Sequence, residues 1–311
     1  MSSLISNSEE ANDSQRTFLE IAIFNASSAQ IAYTSFADRL ELCAEGSSVN
    51  GGTTPSLSTL ESVITSLQRT QSSTIPGKHH ATPTQAKRWI PIYTMIRPRG
   101  GDFVYSDEEF ETMKEHLLAL KSANYHQAEE NKSHERNGFG KVNGFVFGIL
   151  TRDNKVDRER NAELVRLAAP LPCTFHRAFD EVITSCENRV SDSDENMLLP
   201  QMLVDELTAV IEAGFASILT SGGSGISAVD GTRKIATLTE AAKGRIEIIA
   251  GGGVRSTNVR ELRRQSPRTR FFHSSAIMGY GDEQVVDVAD SNEVFALKTE
   301  LMVPLGSAKR S

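Results

Sequence analysis

Short apolar runs alternate with amphipathic stretches along the chain, and this alternation repeats eight times. The apolar runs have the length of buried strands, whereas stretches such as SDEEFETMKEHLLAL and DRERNAELVRLA carry helical periodicity. Regular alternation of strand and helix is typical of parallel strands joined by crossover helices. We therefore predict eight strands, at residues 18–25, 38–44, 89–97, 144–150, 172–179, 217–223, 246–252 and 270–276.

Eight strand–helix units in 311 residues predict an α/β fold, a (β/α)8 barrel of the TIM type. An open doubly wound sheet is the alternative, but it requires a glycine-rich turn after the first strand, where the chain reads FNASSAQ. We assign residues 17–311 to a single barrel domain and residues 1–16 to a disordered tail. The polar segments 121–141 and 186–196 lack apolar periodicity, so we interpret them as loop insertions.

Composition and charge argue against several classes of protein. The net charge is −7 and no run of Lys and Arg is present, so the sequence does not favour a nucleic-acid partner. No apolar stretch approaches the roughly 18 residues that span a membrane. Three cysteines in a chain of this size indicate a reducing compartment, and the cytoplasm is the simplest location. A small ligand is the expected partner, and the sequence leaves open a homo-oligomer.

The first three predicted strands carry charged residues on the face that points into a barrel. In such a fold the apolar face of each strand meets the helices, so the other face lies inside. Glu20, Arg39 and Glu41 would then form a buried charge network, which must be paired and hydrogen-bonded to offset its desolvation. This network is either purely structural or part of a ligand site. The inward residues are Glu20, Ala22 and Phe24, then Arg39, Glu41 and Cys43, then Tyr93, Met95 and Arg97.

Further polar residues follow the carboxyl ends of the strands, which is where a barrel of this type keeps its ligand site. Consecutive glycines before a helix expose backbone N–H groups that bind phosphate or carboxylate. We expect Arg97 and Arg99 to face inner carboxylates on one side and an anionic ligand on the other. The predicted ligand-binding residues are Arg97, Arg99, Arg177, Ser221, Gly222, Gly251, Gly252, Gly253, His273 and Ser274.

Seven motifs between about residues 18 and 276 resemble, in order, those of the CutC copper homeostasis family. They read ELC…GGTTPS, MIRPRGGDFVYSDEEFE, VFGILT, LPCTFHRAFD, ILTSGG, GRIEIIAGGGVRSTNV and FHSSA. The resemblance implies a TIM-type barrel, a cytoplasmic location and a role in copper tolerance through Cu(I) handling. It also implies copper as the bound metal.

Cu(I) prefers thiolate and thioether ligands. Members of the family often carry a cysteine in the first strand and another in the Glu-Leu-Cys run of the second. Here Ala22 occupies the first of these positions and Cys43 the second, so the resemblance makes Cys43 the candidate metal ligand. Met95 is a second soft candidate, because it also points inward on the neighbouring strand. Cys173 lies near the start of the fifth strand, at the opposite barrel end, and Cys186 lies in a polar segment.

Two functions therefore compete on the sequence. The first is a copper homeostasis protein that binds Cu(I) through Cys43. The second is an enzyme that acts on a small phosphorylated or carboxylated metabolite at the carboxyl-terminal mouth of the barrel. In that second case His176, Asp102 or Glu41 is the candidate acid or base. No motif specifies a nucleophile together with its base, so the sequence names no reaction.

Overall fold

The computed structural model describes residues 16–73, 88–130, 141–189, 195–279 and 287–305. Eight parallel strands form a closed barrel in chain order, with β8 hydrogen-bonded to β1. This arrangement confirms the predicted (β/α)8 barrel, and each strand falls inside its predicted range. Strands β1 to β8 span Phe18–Ile23, Arg39–Leu42, Ile92–Met95, Gly144–Phe147, Cys173–Phe175, Ser217–Thr220, Glu247–Gly251 and Phe271–Ser274.

Helices follow the strands and cover the outside of the barrel. Polar side chains fix several helix starts: Asn25 accepts a hydrogen bond from the amide of Ser28, and Asp157 and Asp290 cap two further helices in the same way. No helix in the described ranges is long and apolar enough to cross a membrane. Helices α1 to α9 span Ala26–Thr34, Leu57–Ser73, Asp107–Glu130, Arg158–Ala168, Ala178–Asn188, Glu195–Glu212, Thr232–Ala242, Val259–Gln265 and Ser291–Met302.

The two polar segments expected to be loops are partly helical. Helix α3 continues through residues 121–130, and α5 and α6 include the two ends of 186–196. A polar sequence can extend a helix that is already nucleated, because each added residue gains a backbone hydrogen bond. Cys186 is consequently buried on α5 and does not lie in a loop. Residues 1–15, 131–140 and 190–194 of the expected tail and insertions lie outside the described residues.

Strand alternation separates two apolar regions. Outward side chains such as Leu19, Ile21 and Leu40 are fully buried in the core between the barrel and its helices. A smaller cluster fills part of the barrel interior. The side chains predicted to point inward from β1 to β3 do so, and this inner cluster consists of Ala22, Phe24, Cys43, Met95, Val146 and Ile277.

Candidate functional site at the barrel mouth

A charge network lies deep inside the barrel, where the strand register brings β1 next to both β2 and β8. Glu20 pairs in register with Arg39 and with His273. Its carboxylate accepts a hydrogen bond from Arg39 Nε, and its Oε1 lies 2.8 Å from His273 Nδ1. Burial alone would raise the pKa of Glu20, but Arg39 and His273 outweigh it and hold the pKa at about 2. Glu20 is therefore ionised and satisfied by its neighbours.

Glu41 lies next to this pair and is less completely satisfied. Its Oε1 is 3.8 Å from Cys43 Sγ, and its Oε2 has no hydrogen-bond partner among the described residues. Burial and the charge of Glu20 raise the pKa of Glu41 to about 7, against the opposing effects of His273 and Arg39. Glu41 thus differs from Glu20 because no basic group binds it directly.

Glu20, Glu41 and His273 place one potential metal-ligand atom each within 4.8 Å of one another. Carboxylate oxygens and imidazole nitrogen suit a hard or borderline divalent ion better than Cu(I). However, Glu20 is already bound to Arg39, whose positive charge opposes a cation at this place. The donor set is therefore a poor copper site.

A cavity of about 540 Å³ opens above this network at the carboxyl ends of the strands. Its size is ordinary for a pocket that binds a small molecule. We name two of its surfaces. The thiol wall consists of Phe24, Cys43 and Met95, and the cationic rim consists of Arg97, Arg177 and Arg255.

The thiol wall brings two sulfur-containing side chains to one buried surface. A Cβ on Gly52 would lie 2.6 Å from Cys43 Sγ and 3.4 Å from Met95 Cε, so a residue without a side chain is required there. Burial, followed by the charge of Glu41, raises the pKa of the Cys43 thiol well above its usual range. Cys43 is therefore a protonated thiol at neutral pH.

Arg97 is buried at the mouth without an acidic partner. Its guanidinium donates to the carbonyl oxygens of Asn50 at 2.6 Å, Gly52 at 3.2 Å and Gly101 at 2.8 Å. Its Nε has no hydrogen-bond partner, and no carboxylate in the described ranges lies within ion-pair distance. The inner carboxylates that we expected to face Arg97 are thus replaced by carbonyl oxygens, which leave its full charge uncompensated.

The other two arginines of the cationic rim differ from each other. Arg177 Nε donates to Asp180 Oδ2 at 2.8 Å, so its charge is matched. Arg255 donates to the Ser274 hydroxyl at 3.0 Å and to the carbonyl oxygen of Ile277 at 3.2 Å. Within the described part of the chain, Arg255 has no carboxylate partner. Two of the three rim arginines therefore have no carboxylate partner among the described residues, while Glu41, Asp180 and Glu181 line the same pocket.

His176 is buried beside this rim. Its Nδ1 accepts the backbone N–H of Ala178 at 3.3 Å, and its Nε2 has no partner among the residues described. Burial, followed by the positive charges of Arg97 and Arg177, lowers the pKa of His176 to about 3. The imidazole is therefore neutral, and its ring packs edge-on against Phe103 at 4.9 Å between centroids.

Arg99 and Asp102, which we expected at the mouth, lie outside the pocket. Arg99 Nε donates to Glu109 Oε1 at 2.5 Å, and its Nη2 donates to Asp102 Oδ1 at 3.0 Å. The reason is that β3 ends at Met95, after which strand alternation no longer fixes side-chain direction. Asp102 is consequently misplaced as an acid or base for this pocket.

Some of the predicted residues support the pocket from behind. The Ser221 hydroxyl donates to Asp180 Oδ2 at 2.8 Å. A Cβ on Gly222 would lie 2.5 Å from a carbonyl oxygen preceding α7, and one on Gly251 would lie 2.5 Å from a leucine methyl group of β6. Ser221 therefore holds Asp180 through a hydrogen bond, and the two glycines allow close packing. The predicted residues that do line the pocket are Glu41, Cys43, Met95, Arg97, His176, Arg177, Gly252, Gly253, His273 and Ser274.

Sequence reasoning also missed residues that line the pocket. Arg255 directly follows the glycine run and Val254, and that position was a usable signal. Ser48, Asn50 and Ser224 come from loops, and nothing in the sequence distinguishes them from other polar loop residues. Their approach to the pocket depends on the path of loops that no periodicity describes.

A closed barrel of alternating strands and helices, with a polar pocket at the carboxyl ends of its strands, has the architecture of the TIM-barrel class. Comparison with known proteins narrows this class. The model of the CutC family matches residues 17–278, and the chain belongs to that family.

Relatives in several organisms support the assignment. The chain is 35% identical over 258 residues to the human copper homeostasis protein cutC homolog, covering 83% of this chain and 72% of the relative. It is 32% identical over 304 residues to the Caenorhabditis elegans copper homeostasis protein cutC homolog, covering 94% and 98%. The crystal structure of a CutC protein from Streptococcus agalactiae has 26% identity and a TM-score of 0.59, covering 83% of this chain and 98% of that one.

Proposed function

We propose that this protein binds Cu(I) in the barrel pocket, with Cys43 as the anchoring ligand and Met95 as the second. The observation that carries this proposal is the thiol wall, in which both sulfur-containing side chains meet at Gly52. Cu(I) selects such soft ligands over carboxylates and amides. The names of the human and nematode relatives support a role in copper homeostasis.

The thiol wall supplies one thiol and one thioether. Ala22 lines the same pocket and offers no sulfur, so Cys43 and Met95 would be the two sulfur ligands of Cu(I). The cysteines are free and buried, which fits the reducing cytoplasm where copper is held as Cu(I). Both proposed ligands come from one chain, so the proposal does not require a homo-oligomer.

An anaerobic Cu(I) titration against a competing chelator tests the proposal. We expect Cys43→Ser to weaken binding roughly 100-fold, because it removes the only thiol in the pocket lining. The matched control is Cys173→Ser, since Cys173 is equally buried but lies at the start of β5. Equal Cu(I) affinity of the wild type and Cys43→Ser would refute this function.

A second candidate function is an enzyme of a small phosphorylated or carboxylated metabolite. The specific observation in its favour is that Arg97 and Arg255 reach the pocket without carboxylate partners. Guanidinium groups bind phosphate and carboxylate through paired N–H donors. Gly252 and Gly253 line the pocket at the same rim, and the guanidinium of Arg177 lies against Gly252.

Thermal unfolding in phosphate or malonate tests this second function. We expect each anion to raise the melting temperature of the wild type, since a ligand that binds only the folded state stabilises it. Arg97→Met should abolish the shift, whereas Arg99→Met, which removes an arginine outside the pocket, should retain it. A shift that survives in Arg97→Met would place the anion elsewhere and contradict this function.

A further inference from the structure

One buried hydrogen-bond donor in the pocket has no acceptor. His176 Nδ1 is occupied by the backbone N–H of Ala178, the first residue of α5. An imidazole nitrogen that accepts a hydrogen bond carries no proton, so the ring proton of the neutral side chain lies on Nε2. Nε2 is buried and forms no hydrogen bond with the described residues. The His176 side chain lines the pocket. A buried donor of this kind is satisfied only when a ligand or water supplies an acceptor.

The surroundings fix the direction of this donor. A Cβ on Gly148 would lie 2.8 Å from His176 Nδ1, so the strand beside the ring leaves space only for a glycine. The rings of Phe103 and Phe175 contact the imidazole edge-on at 4.9 and 6.2 Å between centroids. The imidazole is therefore held in one orientation by its neighbours before any ligand arrives.

The charges around the donor select what it can meet. Arg97 and Arg177 line the same pocket and keep the ring from taking a second proton. A neutral imidazole donates one hydrogen bond and so recognises an acceptor without adding a charge. An anion whose acidic group is bound by the cationic rim thus also meets a fixed, uncharged hydrogen-bond donor, His176 Nε2–H.

We propose that His176 Nε2–H binds a carbonyl oxygen of the ligand, so that the pocket selects small anions that carry both an acidic group and a carbonyl group. This inference rests on the second function above, in which the cationic rim binds the acidic group. His176 is thereby a specificity-determining residue, and the ligand class narrows to 2-oxo acids and phosphorylated carbonyl compounds.

Matched probes separate the carbonyl group from the acidic group. Pyruvate and propanoate share a carboxylate and differ in the oxo group, and 2-oxopropyl phosphate and propyl phosphate form the corresponding phosphate pair. We expect the wild type to bind one oxo probe about tenfold more tightly than its partner, measured by calorimetry. The probe pair that shows this difference in affinity identifies the acidic group as a carboxylate or a phosphate.

Substitutions at His176 test the donor itself. His176→Gln keeps an amide N–H close to the position of Nε2 and should retain part of the preference for the oxo probe. His176→Leu removes the donor and should bind both members of a pair equally, at the affinity of the wild type for the probe without the oxo group. An unchanged preference in His176→Leu would overturn the inference.

A measurement on the wild type avoids any dependence on how the variants fold. Imidazole ¹⁵N spectra should show His176 as the Nε2–H tautomer at pH 7, with the Nε2–H proton moving downfield when the oxo probe binds. The Nδ1–H tautomer, an imidazolium, or the same response to both probes would overturn the inference. If the wild type binds both probes equally and Arg97→Met binds neither, the inference about His176 is overturned, but anion binding at the cationic rim stands. Failure of the wild type to bind any probe would overturn both.

Discussion

Arg39, on β2, and Arg97, two residues after the end of β3, are both buried arginines, but their partners differ. Arg39 is held by Glu20, whereas the hydrogen-bond acceptors of the Arg97 side chain among the described residues are backbone carbonyl oxygens. In the first pair the two charges neutralise each other, and the pair contributes to the structure of the barrel interior. The second leaves a positive charge at the mouth, where an anion can compensate it.

The two histidines of the interior differ in the same way. Burial lowers the pKa of His273, but Glu41 and Glu20 outweigh it and raise the pKa above its usual value. Burial and two arginines lower the pKa of His176 to about 3. Depth inside the barrel therefore does not determine the state of a side chain; its neighbouring charges do.

The largest expected effect comes from removing the carboxylate of the buried Glu20–Arg39 ion pair. Glu20→Gln leaves Arg39 buried without its counter-charge, and we expect a loss of roughly 3–5 kcal/mol in the free energy of unfolding. Urea unfolding monitored by circular dichroism measures this loss. The control is Glu109→Gln, which removes the carboxylate partner of the more exposed Arg99. Similar losses in both variants would show that the interior pair is no more structural than the surface pair.

A smaller effect is expected from the pH dependence of His176. The pKa of His176 is about 3 in the folded protein and 6.5 in the unfolded chain. Protonation therefore favours the unfolded chain as the pH falls below 6.5. The corresponding stability is present above pH 6.5 and is lost between pH 6.5 and pH 3. Between pH 7 and pH 5 the wild type should lose about 2 kcal/mol more than His176→Gln. Parallel pH profiles of the two proteins would contradict the neutral, buried imidazole.

The smallest effect is expected at Arg99, which contacts exposed or half-buried carboxylates outside the pocket. Arg99→Ala should lower the free energy of unfolding by no more than about 1 kcal/mol. Copper and anion affinities should stay unchanged in the same titrations. A clear loss of anion affinity would extend the cationic rim beyond the three arginines that define it.

Strand periodicity was enough to predict the barrel and the inward direction of its first three strands. The rule that side chains alternate correctly placed Glu20, Cys43 and Met95 inside, because each lies within or directly beside a regular strand. Arg99 was expected at the mouth only because it follows this strand, and it lies outside the pocket because β3 had already ended at Met95. Within the barrel, local geometry therefore predicted most of the interior.

The state of the pocket could not be predicted from the sequence. Ser221 follows a strand end as Arg97 does, yet its partner Asp180 lies on α5, far earlier in the chain. Likewise, the orphan donor of His176 depends on the start of α5 occupying its other nitrogen. The first of these contacts joins distant segments and the second depends on a tight local turn, and hydrophobic periodicity describes neither.

The central claim is that the thiol wall binds Cu(I) through two sulfur atoms. X-ray absorption at the copper edge, on the protein loaded anaerobically with one equivalent of Cu(I), tests it most directly. The account predicts a first shell with two sulfur scatterers, of which one is lost in Cys43→Ser. A shell of nitrogen and oxygen atoms alone, unchanged by that substitution, would contradict it.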